Sequence, residues 1–147
     1  MAAIFLDANV PMYAGGAAHS LRQPSIDILR LAQLNPASFT TNAEVLQEIL
    51  HRYVSINRWQ DGRRILLAFA RLLRGRIEPI YTRDVLQAAQ LADRLSGLEA
   101  RDYLHVAVMS RLGVSRIVST DRKLDSVPSI ERLDPMKVDE WRETVIP

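Results

Sequence analysis

Asp7, Glu48, Asp102 and Asp121 are four carboxylates on separated segments, each placed where a chain entering or leaving a regular element can aim it at a common point. Converging carboxylate oxygens bind hard cations. With no cysteine and no paired-histidine spacing in the chain, an oxygen-only set selects Mg²⁺ or Mn²⁺. Such a set can hold metal, lower the pKa of a bound water and stabilise charge on the attacking and leaving oxygens of a phosphodiester. Hydrolysis of RNA or DNA is the chemistry it would serve.

The elements that must position these acids can be read from the hydrophobic pattern. Asp7 ends the apolar run Ala2 to Leu6, which reads as a buried strand, and Asp121 directly follows a second such run, Arg116 to Thr120. In an open parallel sheet, ligands bind outside the carboxyl ends of the strands, so two acids at strand ends point to one cleft. Between them the pattern predicts helices over about Ser25 to Leu34, Ala43 to Val54, Gln60 to Arg74, Arg83 to Leu95 and Ala100 to Leu112. It adds short extended segments at Ser38 to Thr40, Ile77 to Ile80 and Ile130 to Leu133, and a last helical turn near Pro135 to Trp141. Gly75 and Gly113 stand where helix-ending glycines belong. Strands alternating with helices imply a parallel α/β sheet, and the absence of repeats or linkers predicts one domain over residues 1–147.

Each acid alone has an ordinary reading. Glu48 lies on a helix whose apolar stripe is Val45, Leu46, Ile49, Leu50 and Tyr53, so Glu44, Glu48 and His51 fall on the opposite face, where a glutamate normally meets water. Glu44 competes with Glu48 for any role. Asp102 begins the most apolar helix and could serve as a dipole-stabilising acid, paired with Arg101; a carboxylate entering a core must be paired, hydrogen-bonded or metal-bound. Asp121 could cap the following turn. His105, inside the apolar helix, reads as a hydrogen-bonded structural histidine rather than a ligand.

The formal charge is +2 with a pI near 9.3, and almost all basic residues are arginine, lysine occurring only at Lys123 and Lys137. Arginine suits bidentate phosphate binding and base stacking; a genome favouring arginine codons would give the same bias. Arg63, Arg64, Arg71 and Arg74 fall on one face of the expected helix, a surface for RNA phosphate or a partner, or an ordinary solvated face. Trp59 and Trp141 read as cover for apolar surface. The N-terminus has no basic region before its short apolar run, so neither a secretory signal nor a membrane anchor is expected, and a cytoplasmic protein follows.

Ile4-Phe5-Leu6-Asp7-Ala8-Asn9-Val10, Glu48-Ile49-Leu50, the segment Ala100 to Met109 with its Asp-x-x-His-x-Ala pattern, and Ile117-Val118-Ser119-Thr120-Asp121 resemble, in order, the motifs of PIN-domain nucleases. The size is closest to the VapC-type toxins of prokaryotic toxin-antitoxin pairs. The resemblance implies a three-layer α/β/α PIN-like fold with a central, mainly parallel sheet, and a Mg²⁺- or Mn²⁺-dependent endoribonuclease neutralised by a cognate antitoxin, commonly a homodimer. It implies that Asp7 and Asp102 bind metal, that Asp121 ligates it or positions water, and that Glu48 completes the cluster. Asn9 would support Asp7, Thr120 would orient its neighbours, and Asp125 matches a further acidic position of some members.

Two other classes can be set against this reading. An aspartate-nucleophile phosphatase of a small metabolite would start from Asp7-Ala8-Asn9-Val10, but it needs a second acid two residues after the nucleophile and a charge-balancing lysine, and Asn9 cannot donate a proton as an acid does. A non-catalytic RNA-binding module with a decayed site would lack some of the acids, and all four are present.

Overall fold

The N-terminal apolar run enters the core as β1 (Ile4–Leu6), buried throughout. Ala2 and Ala3 of the expected strand lie outside residues 4–147, which are those the computed structural model describes. With β2 (Phe39–Asn42), β3 (Ile77–Glu78), β4 (Arg116–Val118) and β5 (Glu131–Leu133), it forms a sheet in the order β3-β2-β1-β4-β5. The expectation of a mainly parallel sheet is met in full, since every pairing is parallel. Continuous apolar runs suit such strands, which are covered on both faces.

Among the described residues, seven helices flank the sheet: α1 (Asn9–Gly15), α2 (Arg22–Leu34), α3 (Ala43–Ser55), α4 (Trp59–Leu72), α5 (Thr82–Arg94), α6 (Ala100–Leu112) and α7 (Val138–Val145). The chain steps from β1 to β2 to β3 in one direction, then returns to β4 on the other side of β1. Right-handed crossovers therefore put α1 to α4 on one face and α5 and α6 on the other. Strand order reverses beside β1, which opens a crevice between the carboxyl ends of β1 and β4.

Several elements depart from the sequence pattern for identifiable reasons. Helix α1 was hidden by Pro11 and the Gly15-Gly16 pair, which read as turn punctuation; Pro11 sits in the first helical turn, where its missing N–H leaves no hydrogen bond unmade. The C-terminal turn is longer than expected. After a 3₁₀ turn at Pro135–Lys137, α7 continues to Val145, burying Val138, Trp141 and Val145, and Trp141 Nε1 donates to the Asp134 carbonyl at 2.9 Å. Helix α4 ends at Leu72, so Arg74 lies beyond it and shares no helix face with Arg63, Arg64 and Arg71. In α3, Val45 and Ile49 are buried but Leu50 is exposed, which rotates the core stripe and brings Glu48 to its flank. Gly62 permits the close crossing of α4 over α3, since a Cβ there would stand 2.3 Å from Cβ of Tyr53.

Candidate active site

The residue after β1 is Asp7 and the residue after β4 is Ser119, so the crevice at the strand-order reversal is lined from both sides. Asp7 N–H continues the β1–β4 ladder to the Val118 carbonyl at 3.2 Å. Its side chain is buried yet well partnered by neutral donors: Oδ1 accepts the Ala8 N–H at 2.8 Å, and Oδ2 accepts the Ser119 hydroxyl at 2.6 Å and the Asn9 amide at 3.3 Å. Asn9 also donates to Ser119 Oγ at 3.1 Å and accepts the Thr120 N–H at 3.2 Å, while Ser119 Oγ accepts the Asp121 N–H at 3.1 Å. Asn9 thus ties the start of α1 to the end of β4. Burial drives the Asp7 pKa up, and Glu48 adds to this, whereas His105, the Ser119 hydroxyl and the Ala8 amide pull it down; the net direction is upward.

Facing Asp7 are Glu48 and His105. His105 Nε2 lies 3.6 Å from Glu48 Oε1 and 3.9 Å from Asp7 Oδ1. Neither Nε2 nor Glu48 Oε1 has a hydrogen-bond partner although both are buried. Donor atoms of Asp7, Glu48 and His105 all fall within 4.8 Å of one another, a spacing that fits a metal ion. Burial opposes a charge on His105, but the carboxylates of Glu48, Asp7 and Asp102 around it outweigh that cost and draw its pKa up.

Asn42 constrains that ring further. Its carboxamide oxygen caps α3 by accepting the Val45 N–H at 3.0 Å, so its NH₂ is the group that meets His105 Nδ1 at 3.0 Å. Nδ1 must then accept, and a neutral ring carries its proton on Nε2, toward Glu48 and Asp7. In that tautomer His105 presents an N–H to the acids and leaves their oxygens as the metal donors.

Asp102 stands in the first turn of α6, as its position before an apolar helix required, and its Oδ2 accepts the Glu99 N–H at 3.0 Å. Burial raises its pKa against that hydrogen bond, and the charges of Asp7 and Asp121 raise it further; the donor atoms that converge within 4.8 Å are those of Asp7, Glu48 and His105, without Asp102. Asp121 caps the next 3₁₀ turn, accepting the Lys123 N–H at 3.0 Å, and is partly exposed. Arg101 does not pair with Asp102. It reaches Glu99 at 2.7 Å and Glu48 at 3.5 Å. Among the described residues, Arg101 and His105 are the only basic groups within ion-pair distance of Asp7 or Glu48.

Glu48, rather than Glu44, is therefore the glutamate that meets Asp7. Asp125 is not brought into the cluster: Arg132 holds it in a forked pair at 2.9 and 3.2 Å. Arg64 is paired with Asp61, and Arg63 and Arg71 are exposed on α4. Thr120 contributes its backbone N–H, to Asn9. Sequence reasoning passed over Ser119 and Asn42 and gave His105 and Arg101 no place at the site. The only signal for Ser119 was its position in the strand-end motif, and Asn42 showed only as a residue type favoured at a helix start.

The PIN domain family model matches residues 4–130, and the chain belongs to the PIN-domain family. Its curated relatives are of the VapC type. Ribonuclease VapC13 of Mycobacterium tuberculosis is 40% identical over 130 residues, covering 88% of this chain and 98% of that protein. Ribonuclease VapC23 of the same organism is 40% identical over 123 residues, covering 84% and 96%. Among solved structures, the sarcin-ricin loop cleaving toxin VapC20 of M. tuberculosis superposes with a TM-score of 0.68 at 22% identity, covering 88% of this chain and 98% of that one. FitAcB from Neisseria gonorrhoeae does so at 0.71 and 15% identity, covering 90% and 97%. These likenesses establish the shared fold.

Proposed function

We propose that this chain is a metal-dependent endoribonuclease, the toxin of a toxin-antitoxin pair, and that Asp7, Glu48, Asp102 and Asp121 form its catalytic cluster. The observation that carries this reading is the convergence of Asp7 and Glu48 on a point where buried polar atoms lack partners. A buried carboxylate set short of cations calls for one from outside. Asp7, Glu48 and Asp102 would hold Mg²⁺ or Mn²⁺, with Asp121 at the rim. When bound, such an ion supplies Lewis acidity to a phosphodiester oxygen and a lowered pKa to water.

The chain's own residues do the positioning. Ser119 and Asn9 fix the rotamer of Asp7 through Oδ2, and the Glu99 amide fixes Asp102. His105, steered by Asn42, turns its Nε2 edge toward Glu48 and Asp7. The phosphatase reading loses further support: the position two residues after Asp7 is an amide bridge to Ser119 and Thr120, with no proton to give as an acid.

Relatives named as ribonucleases and solved assemblies such as the VapBC complex of Salmonella typhimurium support an RNA substrate and an antitoxin partner. Among the described residues no helix is long and apolar enough to cross a membrane, in keeping with a cytoplasmic location. A homodimer is suggested by exposed apolar side chains on α3 (Leu50, Val54) and α5 (Val85, Leu86); light scattering on the purified chain tests it. The function is tested by incubating the protein with RNA and Mn²⁺: new RNA ends dependent on metal support the reading, and release of phosphate from small metabolites without RNA cleavage sinks it. Growth arrest on induction, relieved by the neighbouring gene, tests the toxin role.

A further inference from the structure

A cleft of about 690 Å³ opens directly beside the acidic cluster, with Asn9 forming part of its wall. Two of the helices that carry site residues run outward into it. On α1, Tyr13 stands four positions after Asn9, and on α3, Arg52 stands four positions after Glu48. Residues four apart share a helix face, about 6 Å along the axis. The cleft thus repeats the site's two flanks one helical turn further out, with an aromatic ring in place of the amide and a guanidinium in place of the carboxylate.

Its lining has the chemistry of a nucleotide. Tyr13 and His19 stack with ring centroids 4.8 Å apart and planes tilted by 37°, which makes an aromatic wall. Arg52 is exposed and forms no ion pair among the described residues. Arg58 and Arg64 share the one carboxylate of Asp61, at 2.7 and 2.8 Å, so that cluster keeps a net positive charge. Acids alone repel an RNA backbone; a cationic flank beside them offsets this and draws the chain in. Aromatic faces accept any base, and arginines follow the phosphates.

We propose that this cleft binds the nucleotide of single-stranded RNA adjacent to the scissile phosphate, with its base on the Tyr13–His19 wall and its phosphate on Arg52. The assignment rests on the ribonuclease reading and adds to it the residues that hold the substrate. Arg52 and Tyr13 are then binding residues, acting on affinity for RNA and leaving the acidic cluster as it is.

The test is fluorescence anisotropy of a fluorescein-labelled 12-mer single-stranded RNA, titrated with protein in the Asp102→Asn background to keep the RNA uncut. Arg52→Ala and Tyr13→Ala are each expected to weaken binding about tenfold, and Arg52→Ala to lower the salt dependence by about one released counterion. Tyr13→Phe is expected to bind as the parent does, and Arg30→Ala, on α2 outside the cleft, to stay within about twofold. Thermal melts identify any variant that has lost its fold, and Tyr13→Phe and Arg52→Lys then carry the comparison. Equal affinity in parent, Arg52→Ala and Tyr13→Ala overturns the proposal, as does failure of the parent to bind. A wild-type chain that binds the RNA through these residues but leaves it intact in Mn²⁺ overturns the ribonuclease reading alone.

Discussion

Two buried aspartates of this fold are held in opposite ways. Asp84, in the first turn of α5, receives Arg111 of α6 in a forked pair at 2.9 and 3.2 Å and also accepts the Tyr81 N–H at 2.9 Å. Arg111 goes on to Glu78 at 3.2 Å and lies 4.8 Å from the Tyr81 ring centroid, tying β3, α5 and α6 together. Burial opposes ionisation of Asp84, but Arg111 and the Tyr81 amide overcome it and its pKa is lowered. Asp7 is comparably buried, at 4% exposure against 2%, and its pKa is raised. An acid matched to a protein cation stabilises the fold; an acid surrounded by hydroxyl and amide donors, with another acid opposite, holds charge in reserve for a ligand.

The largest expected contrast is between substitutions at the two centres. Asp7→Asn should lower RNA cleavage by about a thousandfold or more, with a melting temperature equal to or above that of the wild type. Asp84→Ala should do the reverse, costing about 2–3 kcal/mol of stability because Arg111 loses its forked partner and keeps only Glu78, while the folded fraction keeps its activity. Denaturant unfolding paired with a cleavage assay reads both; stability loss at Asp7, or normal stability at Asp84→Ala, breaks the comparison.

Metal should separate the centres next. Mn²⁺ at about a hundred times its Kd is expected to stabilise the wild type by about 2.7 kcal/mol. That gain should vanish in Asp7→Asn and Glu48→Gln and persist in Glu44→Gln, which also keeps cleavage within about twofold. A Glu44→Gln chain that loses the metal response would reassign the glutamate.

The pH dependences have opposite signs. The raised pKa of Asp7 penalises folding at neutral pH, and the penalty fades as pH falls through that raised value toward 3.8. The lowered pKa of Asp84 gives stability that is present above 3.8 and lost as pH falls through the folded-state value. Relative to wild type, metal-free Asp7→Asn should therefore gain stability most at neutral pH, and Asp84→Asn should lose it most there, as urea titrations at several pH values would show. The smallest effect is expected at Asp125, whose exposed carboxylate pairs with the largely buried Arg132 for about 1 kcal/mol; a large loss of cleavage in Asp125→Ala would bring it into the cluster.

The acids were legible where local pattern and chemistry coincide. An aspartate closing an apolar run marks the end of a buried strand, which put Asp7 directly after β1, whereas β4 stops at Val118, two residues short of the expected Thr120, and leaves Asp121 three residues beyond its end; an acid opening an apolar helix put Asp102 in the first turn of α6. What surrounds them was not legible, because it is built by distant contacts. Ser119 reaches Asp7 across 112 positions and Asn42 reaches His105 across 63, and no local period encodes either. Glu48 and Glu44 could not be separated until the exposure of Leu50 showed how α3 is turned. The fold was read well in its strand and helix alternation, and least well at α1 and Arg74, where Pro11 and the early end of α4 set boundaries that periodicity does not see.

The central claim is that the Asp7–Glu48 cluster is a divalent-metal centre that cuts RNA. Its most direct test compares cleavage of labelled RNA by wild type and Asp7→Asn with Mn²⁺ and with EDTA. Metal-dependent cleavage by the wild type, abolished by EDTA and by Asp7→Asn, is the predicted result. Cleavage that persists in EDTA, or that Asp7→Asn performs as well as the wild type, would contradict it.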